Sequence, residues 1–347
     1  MARARSRAHR KPSMGDVAAA VGVSKTTISR YLHGEFDCMS EETRARIEQV
    51  IADLDYRPNK IAQGLKATYS RMIGVTVADI GNPFSSMLLK GIHQECHARD
   101  IQLLVSESNN AIDLERSNIE SLLDAQVDGL IVNTVGNNDA WLADYCAKEG
   151  SRPVVMLDRA IDPIVCDCVV TDNRHATFTM LDYLAEQGFA YVAYVSPPMR
   201  GISTRRIRRD AVLSYMQDRP MRGEILEFEY GQPAQLAASL KALIDRHGKE
   251  RLCLFANNES TMSAVVQALP HAACCGPERL PVGICSFASE EWAKCTRSGI
   301  TCLDQRPVVM GREAAGMLLA RTYDGYTGEA TVKEIPATLC VYPSTSF

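Results

Sequence analysis

The sequence predicts an α/β protein in two parts: an N-terminal all-α domain and a larger body of two doubly wound parallel-sheet lobes. The chain has 347 residues, which is too long for one ordinary domain. Residues 14–56 have helical patterning, whereas from Met72 onward short apolar runs alternate with longer amphipathic stretches. Continuous apolar strands separated by helices are typical of parallel sheets covered on both faces.

The first 70 residues differ in charge from the rest of the chain. They carry 12 Lys and Arg against 8 Asp and Glu, a net charge of +4, whereas the remainder carries 26 against 34, a net charge of −8. Residues 1–11 are expected to form a disordered basic tail. The asymmetry indicates that the N-terminal part meets a polyanion, although charge alone also fits a solvated tail without a partner.

Residues 12–56 predict a helix-turn-helix domain. A short first helix precedes Gly22, which permits a tight turn, and Ser24 then caps a second helix, Lys25–Leu32. A third helix, Glu41–Leu54, completes the small core. In a helix-turn-helix the N-terminal end of the second helix enters the major groove of DNA. A three-helix module that binds no DNA is the alternative.

Five side chains of the second helix are candidate DNA contacts. Lys25, Thr26 and Arg30 are predicted to face outward. Lys and Arg donate hydrogen bonds to guanine O6 and N7, and Thr contacts base edges or a thymine methyl group. Thr27 and Ser29 are predicted to touch phosphates.

The body contains eight apolar runs that predict strands, at 72–78, 101–106, 127–133, 153–157, 168–171, 190–196, 251–256 and 281–286. Helices are predicted between them at 84–99, 113–125, 139–149, 174–187, 205–217, 234–247 and 259–268. Roughly ten strands are too many for one ordinary sheet, so two similar lobes are predicted.

Membrane, secreted and metal-binding proteins are disfavoured. No apolar run of about 18 residues is present, so no membrane span is expected. No apolar segment follows the N-terminal charges as in a secretory signal, so the 12 cysteines are expected to be reduced thiols in the cytoplasm. Neither Cys166 with Cys168 nor Cys274 with Cys275 has C-x₂-C spacing, and no metal site is expected.

Catalytic motifs do not support an enzyme. The sequence contains no G-x-x-x-x-G-K-[ST], G-x-G-x-x-G or G-x-S-x-G motif. His93 and His97 are four residues apart, but Glu95 is displaced by one position from the H-E-x-x-H pattern. The sequence therefore predicts neither an enzyme nor a bound cofactor.

Two motifs together closely resemble those of the lactose-repressor (LacI) family. Residues 16–32 match D-V-A-x-x-x-G-V-S-x-x-T-x-S-R-x-L, and residues 56–65 match Y-x-P-N-x-x-A-x-x-L. The resemblance continues to about Pro343. It implies a DNA-binding transcriptional regulator, more often a repressor, that binds a pseudo-palindromic operator as a homodimer and responds to a small-molecule effector.

The second motif resembles the family's hinge helix, placed here with its linker at 57–71. The resemblance implies that Leu65 is an apolar wedge in the minor groove with Lys66 beside it, and that Asn59 and Ala62 approach the backbone and groove floor. The alternative for Leu65 is an ordinary linker residue.

The resemblance also implies a periplasmic-binding-protein-like body with a ligand between its lobes. Lobe 1 is expected at about 72–171 plus 304–333, and lobe 2 at about 172–303 plus 334–347. In open parallel sheets ligands lie beyond the carboxyl ends of the strands. A transporter-type solute-binding protein and an α/β sugar-metabolising enzyme are the alternatives, and the helix-turn-helix domain argues against both.

Motif positions and residues after strand ends together nominate eight ligand-binding residues: Phe84, Ser85, Asp158, Arg208, Tyr230, Asn257, Trp292 and Gln305. A guanidinium suits bidentate recognition of a carboxylate or hydroxyls. For three of them an alternative stands: Asp158 paired with Arg159, Trp292 in the core, and Arg208 as a surface charge.

Two positions depart from the family pattern. Ala288 occupies the place of the first acid in the family's G-F-D-D step, and Asn258 replaces the usual aspartate. Loss of a carboxylate near an arginine favours an anionic ligand. The elements D-I-G-N-P-F at 79–84 and D-G-L-I-V-N-T at 128–134 also resemble the branch of the family that senses sugar acids, which implies an effector such as gluconate, ketogluconate or ketodeoxygluconate.

Overall fold

The computed structural model describes residues 12–32, 34–37, 39–56, 69–272, 282–295 and 299–346. They belong to two compact units, of which the first ends at Ser70 and the second begins at Arg71. Each unit has its own core.

The described residues of the N-terminal unit form the helices α1 (Met14–Val21), α2 (Lys25–Leu32) and α3 (Glu41–Asp53). Ser13 and Asp16 form a reciprocal capping box at the start of α1, and Gly22 ends that helix in the left-handed region, with φ 80°. Val17 and Ile28 are fully buried, so α1 and α2 meet through the apolar residues of the predicted turn motif.

Two six-stranded sheets form the C-terminal unit. The first has the order β11-β5-β4-β3-β1-β2 and the second β12-β10-β9-β8-β6-β7. Their strands are β1 (Met72–Val77), β2 (Gln102–Glu107), β3 (Gly129–Val132), β4 (Val154–Leu157), β5 (Asp167–Thr171), β6 (Tyr191–Ser196), β7 (Arg222–Glu227), β8 (Leu252–Ala256), β9 (Gly283–Phe287), β10 (Thr301–Asp304), β11 (Val332–Ile335) and β12 (Thr338–Cys340). Within these sheets the pair β10–β12 is antiparallel and the other described pairs are parallel.

The helices of this unit are α4 (Pro83–Ala98), α5 (Ile112–Asp124), α6 (Asp139–Cys146), α7 (Asn173–Glu186), α8 (Ser203–Asp218), α9 (Pro233–His247), α10 (Glu259–Ala272), α11 (Glu290–Ala293) and α12 (Pro307–Thr322). Among the helices of the described residues, none has both the length and the apolar character of a membrane span.

The chain passes between the two sheets three times. It leaves the first sheet after Thr171, returns after Asp304, and leaves again after Ile335. The last crossing, expected at about 333–334, follows the end of β11 at Ile335.

Helices α4 and α12 are in direct backbone contact at two glycines. A Cβ atom at Gly91 would lie 2.1 Å from the Val308 carbonyl oxygen, and one at Gly311 would lie 2.1 Å from the Leu88 carbonyl oxygen. Only glycine permits this approach of two backbones. Both helices cover one face of the first sheet through buried residues such as Ile92.

Candidate functional site

The outward face of α2 carries the predicted base-contacting residues. Lys25, Thr26 and Arg30 are exposed, whereas Ile28 is buried in the core. Their exposure follows from the helical period, because Ile28 faces the core and the three polar residues lie off that face. The arrangement leaves a threonine and two cations available to a nucleic acid.

The N-terminus of α2 is held by Ser24. The Thr27 amide donates a hydrogen bond to Ser24 Oγ (3.1 Å), and the two hydroxyl oxygens are 2.9 Å apart. Thr27 and Ser29 are half-buried. The predicted hinge residues Asn59, Ala62, Leu65 and Lys66 lie outside the described residues.

A pocket of about 580 Å³, its open mouth included, lies between the two sheets of the C-terminal unit. The lining includes six of the eight predicted ligand residues: Phe84, Ser85, Asp158, Arg208, Asn257 and Gln305. Asp158, Asn257 and Gln305 directly follow β4, β8 and β10, so the pocket lies at the carboxyl ends of parallel strands.

Arg208 is buried at the base of this pocket. Its Nε donates a hydrogen bond to Asn173 Oδ1 (2.6 Å) and its Nη1 to the Asn257 carbonyl (2.7 Å), while Nη2 donates to Gln305 Oε1. The guanidinium carbon lies 3.7 Å from the centre of the Phe287 ring. With 3% of its surface exposed, Arg208 is not the surface charge of the alternative interpretation.

Asp158 both lines the pocket and pairs with Arg159. Its Oδ2 lies 3.7 Å from Arg159 Nε, and its amide donates a hydrogen bond to the Val169 carbonyl (2.8 Å). Burial raises the pKa of Asp158, against the opposing charges of Arg159 and Arg208.

Sequence reasoning missed four further charged residues of the pocket: Asp79, Arg159, taken only as a partner of Asp158, Arg205 and Glu259. Burial and the positive charge of Arg159 lower the pKa of Arg205 to about 10. Glu259 Oε1 accepts a hydrogen bond from the Ser289 amide (2.5 Å), and burial raises the pKa of this carboxyl. The signals were present, because Arg205 lies in the same arginine-rich run as Arg208, and Glu259 directly follows Asn258.

Two buried polar atoms at the pocket are left without a hydrogen bond among the described residues. They are Arg159 Nε, a donor, and Glu259 Oε2, an acceptor. Because a buried unsatisfied group costs roughly 1–3 kcal/mol, such atoms mark places where a ligand gains affinity.

The two aromatic residues Tyr230 and Trp292, which were predicted to bind the ligand, are not part of the pocket lining. Tyr230 stands beside it, with its hydroxyl 3.0 Å from Thr261 Oγ1 and 3.3 Å from Asn258 Oδ1, and 45% of the residue is exposed. Trp292 packs instead against an apolar cluster that includes Met262 and Ile300. The prediction for Trp292 is therefore corrected to its core alternative.

The structure describes both residues that depart from the family pattern, Ala288 and Asn258. Ala288 is buried and lines the pocket beside Phe287. Asn258 precedes α10, and its Oδ1 accepts a hydrogen bond from the Thr261 amide (2.8 Å), as a helix cap does. Within the described ranges, no cluster of three His, Cys, Asp or Glu residues suited to a metal ion is present.

Comparison with known proteins covers both units. Residues 13–59 match the model of bacterial regulatory proteins, lacI family, and residues 70–310 match that of periplasmic binding proteins and sugar binding domain of LacI family. The regulator KdgR of Bacillus subtilis is 32% identical over 324 residues, covering 93% of this chain and 94% of KdgR. The regulator PtxS of Pseudomonas putida is 35% identical over 335 residues, covering 96% of each chain.

Among solved structures, the lac repressor dimer bound to operator and the anti-inducer ONPF has a similar fold. Its TM-score is 0.83 at 20% sequence identity, with 97% of this chain and 99% of that chain covered. At this identity the likeness concerns the fold. It extends over both the helix-turn-helix unit and the two-sheet unit.

Proposed function

We propose that this chain, which belongs to the lacI family of bacterial regulatory proteins and is a DNA-binding transcriptional regulator, is a homodimeric repressor that senses a sugar acid. The proposal extends the family assignment to the chemistry of the effector. It also holds that the pocket binds this effector without converting it.

The observation that supports an acidic effector is the charge of the pocket lining. Among the described residues, Arg159, Arg205 and Arg208 surround one pocket. Burial, followed by repulsion from the positive charge of Arg159, lowers the pKa of Arg205 to about 10. A ligand carboxylate relieves this repulsion and accepts charge-assisted hydrogen bonds.

The same pocket holds acceptors for ligand hydroxyl groups. Glu259 Oε2 has no hydrogen bond among the described residues, and Asp158 is close by on the other sheet. Guanidinium groups for a carboxylate and carboxylates for hydroxyls suit a polyhydroxy acid. A neutral sugar supplies no carboxylate for Arg205, whereas Arg159 already pairs with Asp158.

Effector binding is proposed to lower operator affinity. A ligand shifts the equilibrium between two protein states only by its difference in affinity for them. The operator is proposed to be pseudo-palindromic, since a two-fold dimer presents two equivalent recognition helices.

The test is a thermal-shift titration of the full chain with gluconate, ketogluconate and ketodeoxygluconate, with glucose as the neutral counterpart. A ligand that binds the folded state raises Tm by an amount that grows with the logarithm of one plus its concentration over Kd. The acids should raise Tm and release operator DNA in a fluorescence anisotropy assay. A shift with glucose alone would overturn the sugar-acid proposal and leave the regulator assignment intact.

A matched pair of variants assigns the effect to the pocket. Arg205→Gln should weaken acid binding by about 1.5–3 kcal/mol, the range for hydrogen bonds to charged groups. Arg206→Gln removes the neighbouring charge of α8, which is exposed and not in the lining, and should leave the titration unchanged. Equal effects of the two variants would contradict a direct contact.

A further inference from the structure

Each lobe contributes to the pocket lining a buried polar atom that has no hydrogen bond among the described residues. The first is a donor, Arg159 Nε, just after β4 of the first sheet, and the second is an acceptor, Glu259 Oε2, at the start of α10 after β8 of the second sheet. Asp158 Oδ2 lies 3.7 Å from Arg159 Nε, which is an ion-pair distance but too long for a hydrogen bond. A ligand that satisfies both atoms must therefore reach from one lobe to the other.

A second atom of each side chain is held by the protein. Arg159 Nη1 donates a hydrogen bond to the Thr134 carbonyl (2.6 Å), and Glu259 Oε1 accepts one from the Ser289 amide (2.5 Å). Glu259 has 3% of its surface exposed. Because these bonds orient both groups before a ligand arrives, little side-chain entropy is lost when the ligand binds.

The surroundings of Glu259 indicate which ligand group its second oxygen binds. Burial raises the pKa of this carboxyl, whereas the amides of Ser289 and Phe84 lower it. The Phe84 amide donates its hydrogen bond to Asn82 Oδ1 (3.0 Å), so Glu259 Oε2 stays without a partner. An ionised carboxylate only accepts hydrogen bonds. A ligand hydroxyl therefore suits Glu259 Oε2, whereas a ketone oxygen or a methylene group does not.

Arg159 lies at a part of the lining that suits the opposite ligand group. Burial and then the positive charge of Arg159 lower the pKa of Arg205, which places these two cations near each other. Arg159 follows a strand of the first sheet and Arg205 belongs to α8 on the second. A carboxylate at Arg159 Nε would accept a charge-assisted hydrogen bond and reduce the repulsion between the two lobes.

We propose that the effector spans the cleft with its carboxylate on Arg159 and one hydroxyl group on Glu259 Oε2, so that Glu259 determines which sugar acids bind. The inference rests on the proposed sugar-acid function and adds a specificity to it. Acids that have this hydroxyl bind tightly, and acids with a carbonyl or a methylene group at the same carbon bind more weakly. The expected loss is roughly ten- to a hundredfold in Kd, because the buried carboxylate then has no partner.

The experiment measures the coupling between Glu259 and single hydroxyl groups by isothermal titration calorimetry of the full chain. The ligands are the tightest-binding acid among gluconate, ketogluconate and ketodeoxygluconate, and analogues of that acid that each lack one hydroxyl. Glu259→Gln keeps an acceptor for the Ser289 amide but places an NH₂ group at the position of Oε2. The penalty for removing one particular hydroxyl should therefore disappear in Glu259→Gln, while the penalties for the other hydroxyls persist.

Two further variants complete the test. Glu291→Gln changes an exposed carboxylate of α11 outside the lining and should leave every Kd as in the wild type. Arg159→Lys keeps the charge but lacks the Nε donor, so it should weaken the parent acid and all analogues alike. Unchanged affinity in Arg159→Lys would overturn the placement of the carboxylate.

The outcomes separate this inference from the sugar-acid proposal. If the acids bind but Glu259→Gln keeps the wild-type pattern, or weakens all ligands equally, the role of Glu259 is refuted and the sugar-acid proposal stands. If none of the three acids binds the wild type, both are refuted. Glu259→Ala also removes the acceptor, and it takes the place of Glu259→Gln in the titrations if that variant does not fold.

Discussion

Glu115 shows how one buried side chain holds the loop that follows β3. It has no exposed surface, and its oxygens accept hydrogen bonds from Thr134 Oγ1 (3.0 Å), the Val135 amide (2.9 Å) and Asn138 Nδ2. Burial raises its pKa, against these three bonds. The carboxylate therefore fixes the loop after β3 while its charge opposes folding.

Because burial raises the pKa of Glu115, the free energy of unfolding should depend on pH. A carboxyl whose folded pKa is raised contributes stability below the usual glutamate pKa of about 4.3, and that contribution is lost as pH rises through the folded pKa. Glu115→Gln should flatten the fall in unfolding free energy over this window, by up to about 1.4 kcal/mol per pH unit. Urea titrations at a series of pH values measure it.

The exposed Glu120 on the same helix supplies the control. Glu120→Gln should keep the wild-type slope. If Glu115→Gln also keeps it, the raised pKa of Glu115 does not govern stability in this range.

Arg30 is one of the two exposed cations of α2 from which a base contact is expected. Arg30→Ala should weaken operator binding by about 1–3 kcal/mol and relax specificity at one base-pair position. Anisotropy titrations against operators that differ at single positions measure both effects. A uniform loss on every sequence would instead assign Arg30 to a phosphate.

At the scale of elements, the loop after β3 touches the loop before α8 across the cleft. Asn137 Nδ2 donates a hydrogen bond to the Arg200 carbonyl (3.1 Å), and a Cβ atom at Gly201 would lie 1.9 Å from Asn137 Oδ1. The two lobes therefore meet through a contact that admits no side chain at Gly201.

Gly201→Ala should separate these loops and speed hydrogen exchange in 133–142. Gly231→Ala is the matched control, because Gly231 also has a positive φ (84°) but open space around its Cβ position. It imposes similar backbone strain without the clash. If both variants exchange alike, strain rather than the inter-lobe contact explains the change.

Sequence patterns predicted most of the strands that are buried along their length, but they missed the buried four-residue β10 and predicted the partly exposed β2. Runs such as Tyr191–Ser196 are mostly apolar and fully buried because helices cover both faces of the sheet. The edge strand Arg222–Glu227 was missed, since its ends are exposed and its residues are mixed in polarity. The three-residue β12 is too short to give a pattern.

Site residues that belong to a sequence motif were predictable. Site residues that reach the pocket only through the packing of the folded chain were not. Arg208 and Asn257 follow from local motifs and line the pocket. Trp292 was misplaced because an aromatic residue after a strand suits a ligand wall and a core equally well. The inward position of Arg205 depends on how α8 packs, which spacing alone does not determine.

At the scale of the whole molecule, the basic N-terminal tail should contribute to operator affinity. Residues 1–11 carry five cations, and each phosphate neutralised steepens the dependence of affinity on salt. Deletion of 1–11 should reduce the slope of log K against log salt concentration while the thermal shift with effector stays the same. An unchanged slope would show that the tail does not contact DNA.

The backbone contact between α4 and α12 has a mechanical consequence. Phe84 and Ser85 lie in the first turn of α4, and Gln305 precedes α12 by two residues, so both helices begin at the pocket. Gly91 and Gly311 leave no compressible side chain between them. A ligand that displaces the start of either helix must therefore move both helices together as a rigid unit. A methyl group added at either glycine would push the two helices apart and uncouple their motion.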